Sequence, residues 1–172
     1  MQELCNNRNC LPISMETMSA KLVLTVASAA LMAAAGTGGP APSRLDTRFV
    51  DGSGEEAAMP RPAILLFYAT WCVPCHIEIR SIDNLVRAAG PVPIIIVPIN
   101  ANPTTKRALR GIRPAQIRYA VGGTYRFLAS LAGPSNSLPV AVALNVEGAP
   151  CAIKREGLTA VEIEGFLAPC RG

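Results

Sequence analysis

The stretch Ala63-Ile-Leu-Leu-Phe-Tyr-Ala-Thr-Trp-Cys72-Val-Pro-Cys75-His76 decides the fold of this chain. An apolar run of strand length leads to two cysteines separated by two residues, and a helical pattern follows. This order places Cys72 at the N-terminus of a helix, where free backbone N–H groups and the helix dipole favour a negative charge. A thiol held there ionises more readily, and the thiolate is the attacking species in disulfide exchange.

Cys75 lies one helical turn beyond Cys72, close enough to form a disulfide and shielded enough to resolve a mixed one. Pro74 suits the first helical turn because its missing N–H has no partner there. The alternatives for such a pair are a purely structural disulfide or half of a zinc site. A zinc site needs a second cysteine pair or a histidine pair, and the chain has one His. The strand-to-helix setting therefore favours a redox pair.

Three motifs resemble the thioredoxin superfamily, and within it the exported thiol-disulfide oxidoreductases of the TlpA/ResA type. The first is Trp71-Cys72-Val73-Pro74-Cys75. The second is Leu138-Pro139-Val140, which resembles the cis-proline loop of that family and leads into the apolar stretch 141–144. The third, 145–148, resembles the hairpin turn before the last strand. The resemblance leaves out the N-terminal third of the chain.

The resemblance implies an α/β thioredoxin fold, a mixed central sheet with helices on both faces. It implies that Cys72 attacks a substrate disulfide, that Cys75 resolves the mixed disulfide, and that Trp71, Leu138 and Pro139 contact the substrate. The implied direction is reductive, on exported proteins such as apocytochromes or metal-site cysteine proteins, with a membrane electron donor. No cofactor and no metal are expected. The alternative is a periplasmic copper chaperone that uses the Cys72/Cys75 pair as soft ligands.

The sequence departs from the family in the residues that handle the resolving cysteine's proton. Many thioredoxins bury an acid in the strand before the motif, where Leu66 stands here, and no acid occurs in 62–73. The lysine expected in the next strand is missing from 94–99. The helical spacing also predicts that Glu78 lies off the apolar face of the helix. His76 on the first turn either helps to orient a thiolate or faces solvent, and its backbone position favours solvent. Deprotonation of Cys75 is therefore expected to use water, the substrate itself or a group that the sequence does not identify.

The residue pattern near the N-terminus predicts that the protein is exported. A short positive start and an apolar run that ends in small residues give a signal peptide over 18–35. The run is shorter than the ~20 residues of a membrane-spanning helix, although an uncleaved anchor is the alternative. Residues 1–17 are interpreted as an upstream extension, 36–60 as a linker with a short N-terminal element, and 61–172 as the thioredoxin-like domain. The expected location is periplasmic or secreted, with membrane contact only if the signal is uncleaved.

Charge is unevenly distributed along the chain. The net charge of +4 is mild, and no nucleic-acid partner is expected. The stretch 84–146 contains no acidic residue but seven basic ones, namely Arg87, Lys106, Arg107, Arg110, Arg113, Arg118 and Arg126. This stretch is either a docking surface for an acidic partner or anionic headgroups, or a solvated face with arginines spread over several elements.

The pattern also predicts most of the secondary structure around the motif. One helix is expected from the motif to about residue 89, followed by a strand over 92–99 whose two prolines indicate a sheet edge or a short pairing length. Strand, helix and strand in this order predict a βαβ unit. A helix is expected over 124–132 after a short strand, and a hairpin turn at 121–124 is the alternative. A capping box at Thr159 and Glu162 begins the last helix.

Removal of the signal leaves Cys151 and Cys170 besides the motif pair, and an oxidising compartment favours their pairing. Cys151 opens the last strand, which carries the chain ~16 Å outward at ~3.3 Å per residue. The last helix returns it by ~15 Å at ~1.5 Å per residue. The two paths are nearly equal, so Cys170 is predicted to lie level with Cys151 and to form a second, structural disulfide. Two unpaired thiols are the alternative.

Overall fold

The computed structural model describes residues 47–134 and 137–171. The predicted extension 1–17, the predicted signal peptide 18–35 and the first part of the predicted linker, 36–46, lie outside the described residues. The strands are β1 (Phe49–Val50), β2 (Ala63–Tyr68), β3 (Ile94–Pro98), β4 (Tyr119–Ala120), β5 (Val140–Leu144) and β6 (Pro150–Lys154). The α-helices are α1 (Val73–Arg80), α2 (Ile82–Ala89), α3 (Pro103–Ala108), α4 (Thr124–Ala132) and α5 (Ile163–Leu167). Short 3-10 helices cover Pro114–Gln116, Ala160–Glu162 and Ala168–Cys170.

The main sheet has four strands in the order β3-β2-β5-β6. Strands β2 and β3 are parallel, whereas β5 is antiparallel to both β2 and β6. A separate two-stranded pairing joins β1 to β4. The parallel β2 and β3 with helices between them form the predicted βαβ unit, and β3 is an outer strand of this sheet, which is one of the two placements that its prolines indicated.

Strand β2 is buried on both faces and paired on both sides. Its residues alternate between two hydrophobic clusters, because successive side chains point to opposite faces of a sheet. Ile64, Leu66 and Tyr68 pack in one cluster with residues of α2 and α5. Leu65 and Phe67 pack in the other with residues of α4. The predicted mixed sheet with helices on both faces is confirmed.

The helix predicted from the motif to about residue 89 is divided in two at Ser81. The Ser81 hydroxyl donates a hydrogen bond to the carbonyl of Glu78 at 2.9 Å. The Ser81 backbone N–H is shared between the carbonyls of Ile77 and Glu78 at 3.2 and 3.1 Å. Such a local hydroxyl bond competes with the regular helical pattern, so α1 ends and α2 begins here.

Residues of the segment 36–60 contribute to the core. Phe49 and Met59 are buried, and the ring of Phe49 meets that of Phe127 edge-on at a centroid distance of 4.9 Å. The buried Arg118 guanidinium donates to the carbonyl of Ala58 at 2.9 Å and to that of Ile117 at 2.8 Å. Arg118 therefore fixes the N-terminal segment and is not part of a basic surface.

The C-terminal segment is fixed to β6 by polar and covalent contacts. The predicted capping box is present. The Glu162 carboxylate accepts hydrogen bonds from the backbone N–H and the hydroxyl of Thr159, and the Thr159 side chain bonds to the backbone N–H of Glu162. Lys154 on β6 forms an ion pair with Glu162 at 2.9 Å. Cys151 and Cys170 are joined in a disulfide with a Cα–Cα distance of 5.2 Å. The last helix therefore lies against the sheet with its far end tied to β6.

We expect removal of this disulfide in Cys151→Ala/Cys170→Ala to lower the free energy of unfolding by about 3 kcal/mol, since it closes a loop with a sequence separation of 19. Urea denaturation of the oxidised proteins measures the difference. The wild type treated with a reductant that opens both disulfides provides the matched comparison. Equal stability of the oxidised wild type and the double variant would contradict a stabilising role for this bond.

Candidate active site

The end of β2 leads through a tight turn to the first cysteine of the motif. The N–H of Cys72 donates to the carbonyl of Ala69 at 3.1 Å and closes this turn. Cys72 is the N-cap residue of α1, and its Sγ accepts the N–H of Cys75 at 3.2 Å. The first turn of α1 carries no acidic residue and has Pro74 near its start. The sulfur of Cys72 therefore lies where unpaired N–H groups stabilise a negative charge.

Cys72 and Cys75 form a disulfide with a Cα–Cα distance of 5.3 Å. Both are buried in the hydrophobic cluster that contains Leu66 and Tyr68 of β2. Cys75 is completely inaccessible, and 2% of Cys72 is exposed. Any reagent that reaches this bond must approach from the side of Cys72.

Three apolar residues next to the cysteines in the sequence are exposed. Trp71, Val73 and Ile77 are between half and three-quarters exposed, at 57%, 70% and 65%. Leu138 is half-buried and packs against both hydrophobic clusters, one of which contains the two cysteines. Pro139 is buried and follows Leu138 through a cis peptide bond.

Comparisons with known proteins agree with this architecture. No protein-family model and no curated protein sequence matches the chain. Among solved structures, it is similar to a secreted disulfide oxidoreductase of Mycobacterium tuberculosis homologous to E. coli DsbE, with 18% identity and a TM-score of 0.56 over 74% of this chain and 98% of that one. It is also similar to a thio-disulfide isomerase from Thermus thermophilus, with 16% identity and a TM-score of 0.57 over 74% and 94%. A third similar structure is StoA from Bacillus subtilis, with 17% identity and a TM-score of 0.53 over 69% and 95%.

The chain has the thioredoxin fold. The similarity extends over nearly the whole length of these proteins and leaves out about a quarter of this chain. In this fold the end of β2 and the start of α1 carry the Cys72–Cys75 pair, as the sequence motif indicated.

Glu78 of this thioredoxin fold lies in the interior, which corrects the sequence-based prediction that it points away from the core. Only 4% of Glu78 is exposed. Its Oε1 accepts the N–H of Leu158 at 2.8 Å. Burial raises the pKa of Glu78 from its ordinary value of 4.5 to about 7, although the hydrogen bond from Leu158 acts in the opposite direction.

The position of Glu78 relative to the dithiol is set by helical spacing. Glu78 follows Cys75 by three residues on α1, and such residues are neighbours on a helix surface. Both side chains are buried on the same side of α1. This spacing is the signal in the sequence that identifies Glu78, and sequence reasoning missed it because a glutamate on a helix is usually solvated.

His76 is half-buried, which corrects the prediction that it faces solvent. Its Nε2 lies 2.9 Å from the carbonyl oxygen of Thr70, and its Nδ1 lies 3.4 Å from the hydroxyl of Tyr68. The ring thus turns back toward the end of β2.

Residues 47–134 and 137–171 contain no group of three or more His, Cys, Asp or Glu side chains that could hold a metal ion. Within the same ranges no helix is long and apolar enough to span a membrane.

The raised pKa of Glu78 predicts a specific dependence of stability on pH. The folded protein holds this proton more tightly than the unfolded chain, so the stabilising contribution is complete below pH 4.5 and is lost as the pH rises to about 7. Glu78→Gln keeps an oxygen for the Leu158 N–H but carries no charge. We expect the variant to become more stable relative to wild type by up to about 3 kcal/mol between pH 4 and pH 8.

Urea denaturation of the oxidised proteins across this pH range measures the difference. Glu164→Gln, which removes an exposed carboxylate from α5, is the matched control and should track the wild type. A constant difference between wild type and Glu78→Gln at all pH values would show that the Glu78 pKa is the same in the folded and unfolded states.

Proposed function

We propose that the chain is a thiol-disulfide oxidoreductase that reduces disulfides of exported proteins, with Cys72 as nucleophile and Cys75 as resolving thiol. The observation that carries this proposal is the position of Cys72 as the N-cap of α1, with the N–H of Cys75 donating to its Sγ at 3.2 Å. A hydrogen bond and a helix N-terminus both favour the thiolate. The comparisons support the same activity, since the similar structures include a disulfide oxidoreductase and a thio-disulfide isomerase.

The proposed reaction has two exchange steps. The Cys72 thiolate attacks one sulfur of the substrate disulfide, that S–S bond breaks, and the other substrate sulfur leaves as a thiolate. Cys75 then loses its proton and attacks Cys72 Sγ, which breaks the mixed disulfide and releases the second substrate thiolate. Two electrons pass to the substrate, and the protein is left with the Cys72–Cys75 disulfide. A thiol donor in the same compartment must reduce it again.

The second step requires a base near a buried thiol, and Glu78 is the group we assign to it. Cys75 is inaccessible to solvent, so bulk water does not reach its sulfur. Glu78 lies one turn along the same helix and is buried with it. Its pKa of about 7 suits a carboxylate that accepts and returns a proton near neutral pH. Glu78 thus takes the role of the buried acid that many thioredoxins carry at the position of Leu66.

The surface around Cys72 suits a protein segment as substrate. The sulfur of Cys72 is buried, and Trp71 and Val73 on either side of it in the sequence are exposed apolar residues that a protein partner can cover. We assign this contact to Trp71, together with Leu138 and Pro139 of the loop before β5. Substrate contact would withdraw Trp71 from solvent.

Export of the chain, its partners and the reductive direction complete the proposal. The signal pattern over 18–35 supports export, and the similar structures include a secreted oxidoreductase and an exposed lipoprotein thioredoxin from Streptococcus pneumoniae. We propose that the substrates are cysteine pairs of exported proteins, such as apocytochromes or metal-site proteins, and that a membrane protein donates the electrons.

The reduction potential of Cys72–Cys75 tests the direction of the reaction. A value near about −120 mV would make the protein an oxidant.

Substitution of the two cysteines tests the proposed roles. We expect Cys72→Ser to reduce a protein disulfide such as that of insulin at the uncatalysed rate, because the attacking sulfur is absent. We expect Cys75→Ser to react once and to accumulate a mixed disulfide at Cys72, which mass spectrometry after acid quenching detects. Near wild-type turnover by Cys72→Ser would refute the assignment of the nucleophile.

Glu78→Gln tests the assignment of the base. We expect the attack of Cys72 to proceed at the wild-type rate and the resolution step to slow on the order of a hundredfold, because the proton of Cys75 has no buried acceptor. The mixed disulfide then accumulates in rapid-quench experiments with the otherwise intact dithiol. Glu164→Gln again serves as control. Wild-type resolution by Glu78→Gln at pH 7 would exclude Glu78 as the base.

A further inference from the structure

The His76 ring makes contacts on both of its nitrogen atoms at the end of β2. Nε2 lies 2.9 Å from the carbonyl oxygen of Thr70, and Nδ1 lies 3.4 Å from the hydroxyl of Tyr68. The His76 and Tyr68 rings also meet edge-on, with centroids 5.4 Å apart and an interplanar angle of 81°. Tyr68 itself is 1% exposed, so one partner of the imidazole is fixed in the core.

These partners determine which nitrogen of His76 carries the proton. A carbonyl oxygen only accepts hydrogen bonds, so the neutral ring must carry its proton on Nε2 and donate it to Thr70. Nδ1 is then the acceptor for the Tyr68 hydroxyl. Burial raises the pKa of Tyr68, which keeps that hydroxyl protonated as a donor. The hydrogen bonds therefore run from Tyr68 to His76 and from His76 to Thr70.

This chain of bonds holds the segment between β2 and α1. The residues 69–71 connect the end of the strand to the N-cap residue Cys72, and Trp71 is largely exposed. The backbone N–H of His76 bonds to the carbonyl of Cys72 at 3.3 Å in the first turn of α1. His76 thus contacts the segment through its ring and the N-cap through its backbone, and it links the two.

We propose that His76 is a positioning residue for disulfide exchange, which clamps the Thr70 carbonyl to α1 and thereby fixes Trp71 and the Cys72 sulfur at the helix N-terminus. This inference rests on the proposed function, because it assigns a role in the same reaction. The imidazole does not touch the substrate or the reacting sulfurs. It limits the movement of the segment that carries them, and a small displacement of a reacting atom is costly in rate.

The chain offers variants that separate the hydrogen bonds from simple packing. His76→Leu removes both bonds, whereas His76→Gln retains an amide donor for Thr70 and an acceptor for Tyr68. Tyr68→Phe removes one oxygen atom and leaves the buried ring in place. Arg80→Gln, at an exposed position in the last turn of the same helix, is the matched control.

Three measurements on reduced protein report on the clamp. The first is the alkylation rate of Cys72 by iodoacetamide, which needs no substrate. The second is the rate of reaction with 2-hydroxyethyl disulfide, a small neutral disulfide. The third is the fluorescence anisotropy decay of Trp71, which is specific because the chain contains one tryptophan. Imidazole nitrogen shifts from NMR, measured in parallel, identify the tautomer.

We expect His76→Leu to slow alkylation and exchange by about tenfold and to increase the fast depolarisation of Trp71. His76→Gln should stay within about twofold of wild type, and Tyr68→Phe should lose about threefold, because one of the two bonds remains. Arg80→Gln should match the wild type throughout. In the wild type, the neutral His76 ring should carry its proton on Nε2.

Wild-type rates and anisotropy in His76→Leu would overturn the proposal, and so would equal losses in His76→Leu and His76→Gln. If His76→Leu does not fold, Tyr68→Phe decides, and unchanged rates and anisotropy in that variant overturn the clamp. A wild-type protein that fails to exchange with the disulfide would refute the proposed function. Altered alkylation and anisotropy in His76→Leu would then still support the positioning of Cys72 by His76.

Discussion

The burial of β2 is the constraint on which the rest of this structure depends. A strand that is apolar along its whole length must be covered on both faces and hydrogen-bonded on both edges. Strands β3 and β5 satisfy its edges, while α2 and α5 cover one face and α4 covers the other. The strand ends between its two neighbours, and a short turn leads from it into α1. Cys72 is held at this junction by the core beneath it, which is why a short motif obtains a fixed geometry.

Burial makes the dithiol rigid, but it also removes the water that could accept a proton from Cys75. The sulfur of Cys72 receives the N–H of Cys75 and the field of the helix N-terminus, so its thiolate is stabilised at the surface of the core. Cys75 is deeper, and a buried thiol has no water to take its proton. Glu78 supplies an acid in the same apolar environment, and the environment that excludes water also raises the pKa of that acid to about 7. One physical cause, desolvation, thus keeps water from Cys75 and raises the pKa of the carboxyl group that we propose as its base.

The junction between β2 and α1 combines an exposed surface near the sulfur of Cys72 with a backbone that is held in place. The proposed reaction requires that a protein disulfide reach the sulfur of Cys72, and Trp71 next to it has a large exposed area. Exposed connecting segments are ordinarily the mobile parts of a fold. The bonds from Tyr68 to His76 and from His76 to Thr70 join this exposed segment to a side chain in the core. The site therefore combines exposed apolar residues with a hydrogen-bonded backbone next to Cys72.

The sequence by itself determined the local features of this protein, because they arise from neighbouring residues. The sequence patterns behind these features are no longer than a single strand or helix. They are the apolar run of β2, the two cysteines with Pro74 between them, and the capping box at Thr159. Only the tertiary structure decided where the polar side chains of α1 point. Glu78 is buried because the backbone of Leu158, 80 residues away in sequence, supplies its hydrogen bond. Sequence patterning assigns a polar residue to solvent by default, since burial is costly until a partner is present. The hydrogen-bond partners of Glu78 and His76 come within reach only when α1 packs against the neighbouring segments of the chain.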